Sequence, residues 1–271
     1  MVRILYTILA MSIMSVAQGE DVCNIERRTI VREEEMVLPS HPVIFEIGNS
    51  HINEQLIEAG SREHLREDWG SAPVRLTSSN ALSHGIKETT LSEYLDMMQE
   101  ESESPGVCRS ANETWYLFGN NESQEPFKSL AAMYELPAST FRYEEKEATA
   151  PELQDPTVVI GLGRQNSGLS FHFHGPGFSQ AIIGRKRWFL YKPNTQPRLG
   201  FEAMVNVTLA EWSQSEDFGS CASLDGPTNA VDCFFQCTID ADRGEILYFP
   251  SNWYHATLNE APYTLFVSVF L

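Results

Sequence analysis

The chain has 271 residues, with 37 acidic against 19 basic side chains and a formal charge of −18. That length supports one large domain or two modest ones, either with a real core. The acidic balance argues against a nucleic-acid or anionic-membrane partner, both of which require a basic footprint, and the runs Glu33-Glu34-Glu35, Glu100-Glu101 and Glu144-Glu145-Lys146-Glu147 read as solvated surface.

Residues 1–19 read as a secretory signal peptide. Arg3 supplies the positive end, Ile4 to Val16 form an apolar run, and the small residues Ser15 and Ala17 suit cleavage after Ala17 or Gly19. A membrane span needs about 20 apolar residues, so the expectation is a mature chain without a transmembrane segment, lumenal or secreted. Three N-glycosylation acceptors fit that route: Asn112, Asn121 and Asn206. The cysteines are Cys23, Cys108, Cys221, Cys233 and Cys237, none of them in a Cys-x-x-Cys pair. An oxidising compartment allows two disulfides and one spare thiol. Cys221 with Cys233 or Cys237, inside one loop, is the expected first bridge, although spacing alone does not fix the pairing.

Residues 20–149 read as a mixed α/β region. His41 to Phe45 suggests a strand entered at Pro42. Asn49-Ser50 is placed to cap a helix carrying Ile52, Leu56 and Ile57, closed by Gly60, and a second helix runs from Ser61 to Trp69. Val74 to Thr77 alternates as a strand. Leu91, Tyr94, Leu95 and Met98 have helical spacing over 91–99. A further helix starts at Ser123, lays down Phe127, Leu130, Ala131 and Tyr134, and stops at Pro137. These stripes are core packing. Residues 99–113 and 138–156 read as loops.

From about residue 157 the pattern changes to short strands between glycine and proline turns. The candidates are 157–163, 169–174, 178–183, 186–191, 245–249, 253–259 and 263–271, with a long insertion over 192–243. Such a series suggests a closed or double-sheet architecture, of which the jelly roll is one solution. The fold class is therefore α+β, a closed or double-sheet β architecture preceded by an α/β region.

Two stretches carry chemistry. In Phe171-His172-Phe173-His174-Gly175-Pro176-Gly177, period-two alternation puts both imidazoles on one strand face, roughly 6–7 Å apart. Far downstream, Gly244-Glu245-Ile246-Leu247-Tyr248-Phe249-Pro250 leads to Trp253-Tyr254-His255. His172, His174 and His255 together offer three nitrogen lone pairs to one metal ion. The plainer alternative is a pair of half-buried histidines on a strand.

The ordered set of histidine pair, Gly184-Arg185-Lys186-Arg187-Trp188-Phe189-Leu190-Tyr191, and Trp-Tyr-His255 resembles the JmjC family of cupin-fold oxygenases, from about residue 157 to the C-terminus. The resemblance implies a double-stranded β-helix barrel over 150–271, with the 20–149 extension packed on it, and a place in the endoplasmic reticulum lumen. It implies Fe(II), with Zn the alternative, held by the three histidines. It also implies 2-oxoglutarate, its distal carboxylate met by Lys186 and with Tyr116, in Thr114 to Phe118, facing its pocket. Two alternatives stand beside this: Lys186 in a plain basic surface turn, and Tyr116 as an ordinary buried aromatic. The family usually has a carboxylate two residues after the first histidine, completing a facial triad on iron; here that position is His174. A threonine common three residues before the first histidine is Leu169. The expected function is a regulator that binds a protein partner with weak or absent oxygenase activity. A secretory-pathway protein hydroxylase and a zinc hydrolase are the alternatives.

Overall fold

The computed structural model describes residues 23–30, 36–47, 50–78, 85–102, 114–119, 121–136, 141–143, 156–195, 209–213 and 234–271. The N-terminal half holds β1 (Glu26–Ile30), β2 (Met36–Leu38), β3 (Val43–Ile47), α1 (Glu54–Ala59), α2 (Arg62–Trp69), β4 (Pro73–Ser78), β5 (Ile86–Thr90), α3 (Leu91–Ser102), β6 (Trp115–Tyr116), α4 (Phe127–Met133) and β7 (Phe141–Tyr143). The C-terminal half follows with β8 (Thr157–Gly163), β9 (Gly168–His172), β10 (Gly177–Ile183), β11 (Arg185–Tyr191), α5 (Leu209–Trp212), β12 (Phe235–Asp240), β13 (Glu245–Phe249), β14 (Tyr254–Asn259) and β15 (Thr264–Phe270).

Two sheets face each other, as the jelly-roll expectation requires. One has the order β1-β3-β13-β10-β15-β8 and the other β12-β11-β14-β9. Between them lies an apolar layer that includes Ala181, Trp188, Leu190, Phe235, Leu247 and Phe249. The outer face of the six-stranded sheet is covered by the helices: Leu56, Leu65, Leu91, Tyr94, Leu95 and Met98 join Phe45, Phe178 and Val267 in one cluster. The outer face of the smaller sheet is covered by Trp212 of α5 and by Phe234, packed on Phe171 and Phe189. This double covering explains why Glu245–Phe249 is buried at every position: a strand with both faces covered loses the polar alternation of a half-exposed one. The β10–β11 connection is a tight turn in which Gly184 takes φ 80°, a conformation that costs glycine little.

Several elements differ from their sequence reading. The extension does more than pack on the barrel, since β3 hydrogen-bonds to β13 and β1 to β3, so both extend the barrel's own sheet. The insertion ends earlier than 243, because β12 pairs with β11 along its length. The first helix is split into a 3₁₀ turn, Ser50–Asn53, and α1. Asn53 uses its side chain to grip the backbone of Glu135 instead of capping, and Ile57 is left exposed. Ser61 does cap α2, accepting from the amide of His64. The helix expected from Ser123 begins at Phe127, after turns over 122–126, with Pro126 at its start where a missing N–H costs nothing. Among the described residues no helix is long and apolar enough to cross a membrane.

Candidate metal centre

The histidines converge through strand pairing. β14 lies between β11 and β9, and His255 sits directly opposite His172. His174 follows two residues beyond the end of β9, where its carbonyl accepts from the Asn252 amide at 3.0 Å. The ring centroids are 4.2 Å apart for His172 and His255, 4.7 Å for His174 and His255, and 5.4 Å for His172 and His174. One ligand nitrogen from each lies within 4.8 Å of the others.

The tautomers are set by the backbone. Nδ1 of His172 lies 2.8 Å from the Ser170 carbonyl, Nδ1 of His174 2.8 Å from that of Gly175, and Nδ1 of His255 2.9 Å from that of Trp253. A carbonyl only accepts, so each Nδ1 carries the hydrogen and each Nε2 keeps its lone pair. This is the outer-sphere arrangement that orients histidine ligands on metals. Burial lowers the pKa of all three, that of His172 to about 4 and that of His255 well below the usual imidazole range. Neutral imidazoles are what a metal requires. The residues therefore fit a divalent first-row ion held by three nitrogens.

The same cavity has a second polar end. Lys186, opposite Asn259 on β14, is 1% exposed. Its Nζ donates to the Tyr116 hydroxyl at 2.9 Å and to Asn259 Oδ1 at 3.3 Å. It also lies 3.7 Å above the ring of Phe266. That ring is seated where Gly161 leaves room: a Cβ on Gly161 would come within 1.9 Å of it. Burial pushes Lys186 well below the ordinary lysine range and Tyr116 well above that of tyrosine, so both favour their neutral forms. The cavity between the two ends has a volume of about 20 Å³, and Leu169, Trp188, Phe249, Thr257 and Phe270 complete much of its lining. Among the described residues, none that lines it is acidic.

The sequence-derived candidates His172, His174, His255, Lys186 and Tyr116 thus line one cavity. Asn259, Thr257 and Phe266 were missed. For the first two a signal existed, since period two from His255 puts Thr257 and Asn259 on the same strand face. Phe266 comes from the opposite sheet and had none. Asn121 is not a free glycan acceptor: it is 2% exposed, Nδ2 donates to the carbonyls of Arg75 and Gly119, and Oδ1 accepts from the Arg75 amide. A glycan on Nδ2 is incompatible with that packing. Asn112 and Asn206 lie outside the described residues, as do Cys108, Cys221 and Cys233. Cys237 does not pair within its own loop; its disulfide partner is Cys23, 214 residues away. The segment leading into β1 meets β12, the Asn24 amide donating to the Gln236 carbonyl, and that meeting is invisible to local spacing.

A family model described as a cupin-like domain matches residues 30–270. The chain is similar to JmjC domain-containing protein 8 of Mus musculus, 33% identical over 266 residues that cover 96% of this chain and 87% of that protein. The Homo sapiens protein of the same name is 31% identical, over 93% of this chain and 85% of that protein. Lysine-specific demethylase JMJ21 of Arabidopsis thaliana is 28% identical over 74% of this chain but 20% of its own length.

Proposed function

The chain belongs to the cupin-like JmjC family, and from that premise we propose that it is a lumenal metal-binding regulator. In this reading it acts through a protein partner and has weak or absent oxygenase activity. The observation that carries the reading is the state of Lys186. Its hydrogen-bond donors are directed at Tyr116 and Asn259, its remaining face is covered by Phe266, and the free volume is about 20 Å³. That holds one or two water molecules, far less than a five-carbon dicarboxylate. His174 adds to it: an imidazole in place of a carboxylate leaves a metal site one charge unit more positive. The lumenal setting is supported by the leader-like residues 1–19 and by the Cys23–Cys237 disulfide, a bond typical of oxidising compartments.

Protein purified from secretory cells should carry about one equivalent of divalent metal by mass spectrometry and give no saturable 2-oxoglutarate heat in calorimetry. A protein partner captured by the parent should be captured equally by His255→Ala. Saturable 2-oxoglutarate binding with succinate release above that variant overturns the regulator reading.

One observation favours a second reading, a protein hydroxylase of the secretory pathway: Lys186 and Tyr116 share their cavity with the three histidines. Bound Fe(II) supplies oxygen activation coupled to 2-oxoglutarate decarboxylation. His172, His174 and His255 would hold the metal, Lys186 would meet the distal carboxylate, and Phe266 would have to swing aside. Zinc in place of iron in the same metal analysis would count against this reading.

A further inference from the structure

The Cys23–Cys237 disulfide lies outside the histidine cavity and has an unusual neighbour. Arg27 on β1 straddles it, with Nη1 3.0 Å from Cys23 Sγ and Nη2 3.3 Å from Cys237 Sγ. The third donor of the fork, Nε, faces Glu245 at 3.2 Å and Glu46 at 3.5 Å. Cys23 is half-buried, whereas Cys237 is fully buried on β12, directly opposite Trp188.

A disulfide is neutral and gains little from two guanidinium N–H groups. The state that gains is the reduced one, in which a thiolate accepts a charge-assisted hydrogen bond. A purely structural disulfide in apolar surroundings has the opposite environment, in which a thiolate is a poor leaving group. Neighbouring bonds also keep the two cysteines together after reduction. The Asn24 amide donates to the Gln236 carbonyl at 3.1 Å, and the Gln236 amide donates to Asn24 Oδ1 at 2.7 Å.

We propose that Cys23–Cys237 is a thiol–disulfide exchange site for a dithiol reductant, with Arg27 stabilising the leaving thiolate. The thiolate of the reductant bonds to the Sγ of Cys23, the less buried of the two cysteines, the S–S bond breaks, and its electron pair leaves on Cys237 Sγ beside Arg27. The second thiol of the reductant then displaces Cys23. The reductant closes into its own disulfide and gives up two electrons; Cys23 takes one proton, and the other goes to solvent or to Cys237.

The test uses the full chain with dithiothreitol as the dithiol, following the oxidised fraction by maleimide mass tagging. Arg27→Gln should be reduced about tenfold more slowly than the parent, the scale of one lost charge-assisted bond on a leaving thiolate. Arg27→Lys, which keeps the charge without the fork, should slow reduction by a smaller factor. Glu245→Gln, which removes a carboxylate competing for the guanidinium, should speed it. If Arg27 only braced the fold, its loss would loosen the site, and both Arg27 variants would be reduced faster. Reduction of Arg27→Gln at the parent rate or faster overturns the proposal. Should Arg27→Gln not fold, the same outcome for Arg27→Lys does so.

Discussion

At the histidine end of the cavity each Nδ1 is used on a backbone carbonyl and each Nε2 lone pair is left over. At the lysine end Nζ already has a phenol, an amide oxygen and an aromatic face. His255 and Lys186 are buried while His172 and His174 are half-buried, and desolvation disfavours charge at both ends, yet the consequences differ. Neutral imidazoles are ready for a cation, because their Nε2 lone pairs have no other partner among the described residues. A buried lysine satisfied by its neighbours is not ready for an anion, because a carboxylate must displace partners that already cost nothing to keep. Two halves of one site can thus sit at different distances from ligand binding.

The largest expected effect comes from removing the plug at the lysine end. Phe266→Ala should cost about 3–5 kcal/mol of stability in chemical denaturation, and should bring 2-oxoglutarate binding into the calorimetric range. If it destabilises without creating such binding, the contrast between the ends does not depend on that ring. Next, His255→Ala should weaken metal binding more than about a hundredfold in chelator competition, since it removes a ligand outright and not only an outer partner. It should leave the Lys186–Tyr116 contact intact, and loss of both functions together would merge the two ends into one. Tyr116→Phe should cost about 1–3 kcal/mol, the penalty for taking a partner from a buried donor, with metal affinity unchanged. The smallest effect belongs to Leu169→Thr, which should alter stability by less than about 1 kcal/mol on a half-buried strand position. Any gain in 2-oxoglutarate affinity would show that the lysine end lacks only a hydroxyl.

The histidine motif was legible because its geometry is local. A two-residue spacing keeps His174 beside His172 even though β9 ends at His172, and a proline-ended strand announces His255. The helix of Leu91, Tyr94, Leu95 and Met98 was legible for the same reason, and all four side chains are buried. The elements that were missed lack a strong local pattern. β1, Glu-Arg-Arg-Thr-Ile, is polar because it is an exposed sheet edge, and β12 was hidden inside an apparent insertion.

The sequence by itself determined short strands between turns and a histidine pair with a third histidine downstream, because period and residue type act over a few positions. The jelly-roll class and the place of Lys186 beside the histidines were implied by the resemblance to the JmjC family. Only the tertiary structure decided that Phe266 and Asn259 occupy the lysine, that Asn121 is buried, and that Cys237 reaches back to Cys23. Those outcomes depend on which strands and connecting segments become neighbours across two sheets. Contacts between residues up to 214 positions apart are fixed by that arrangement, not by any spacing along the chain.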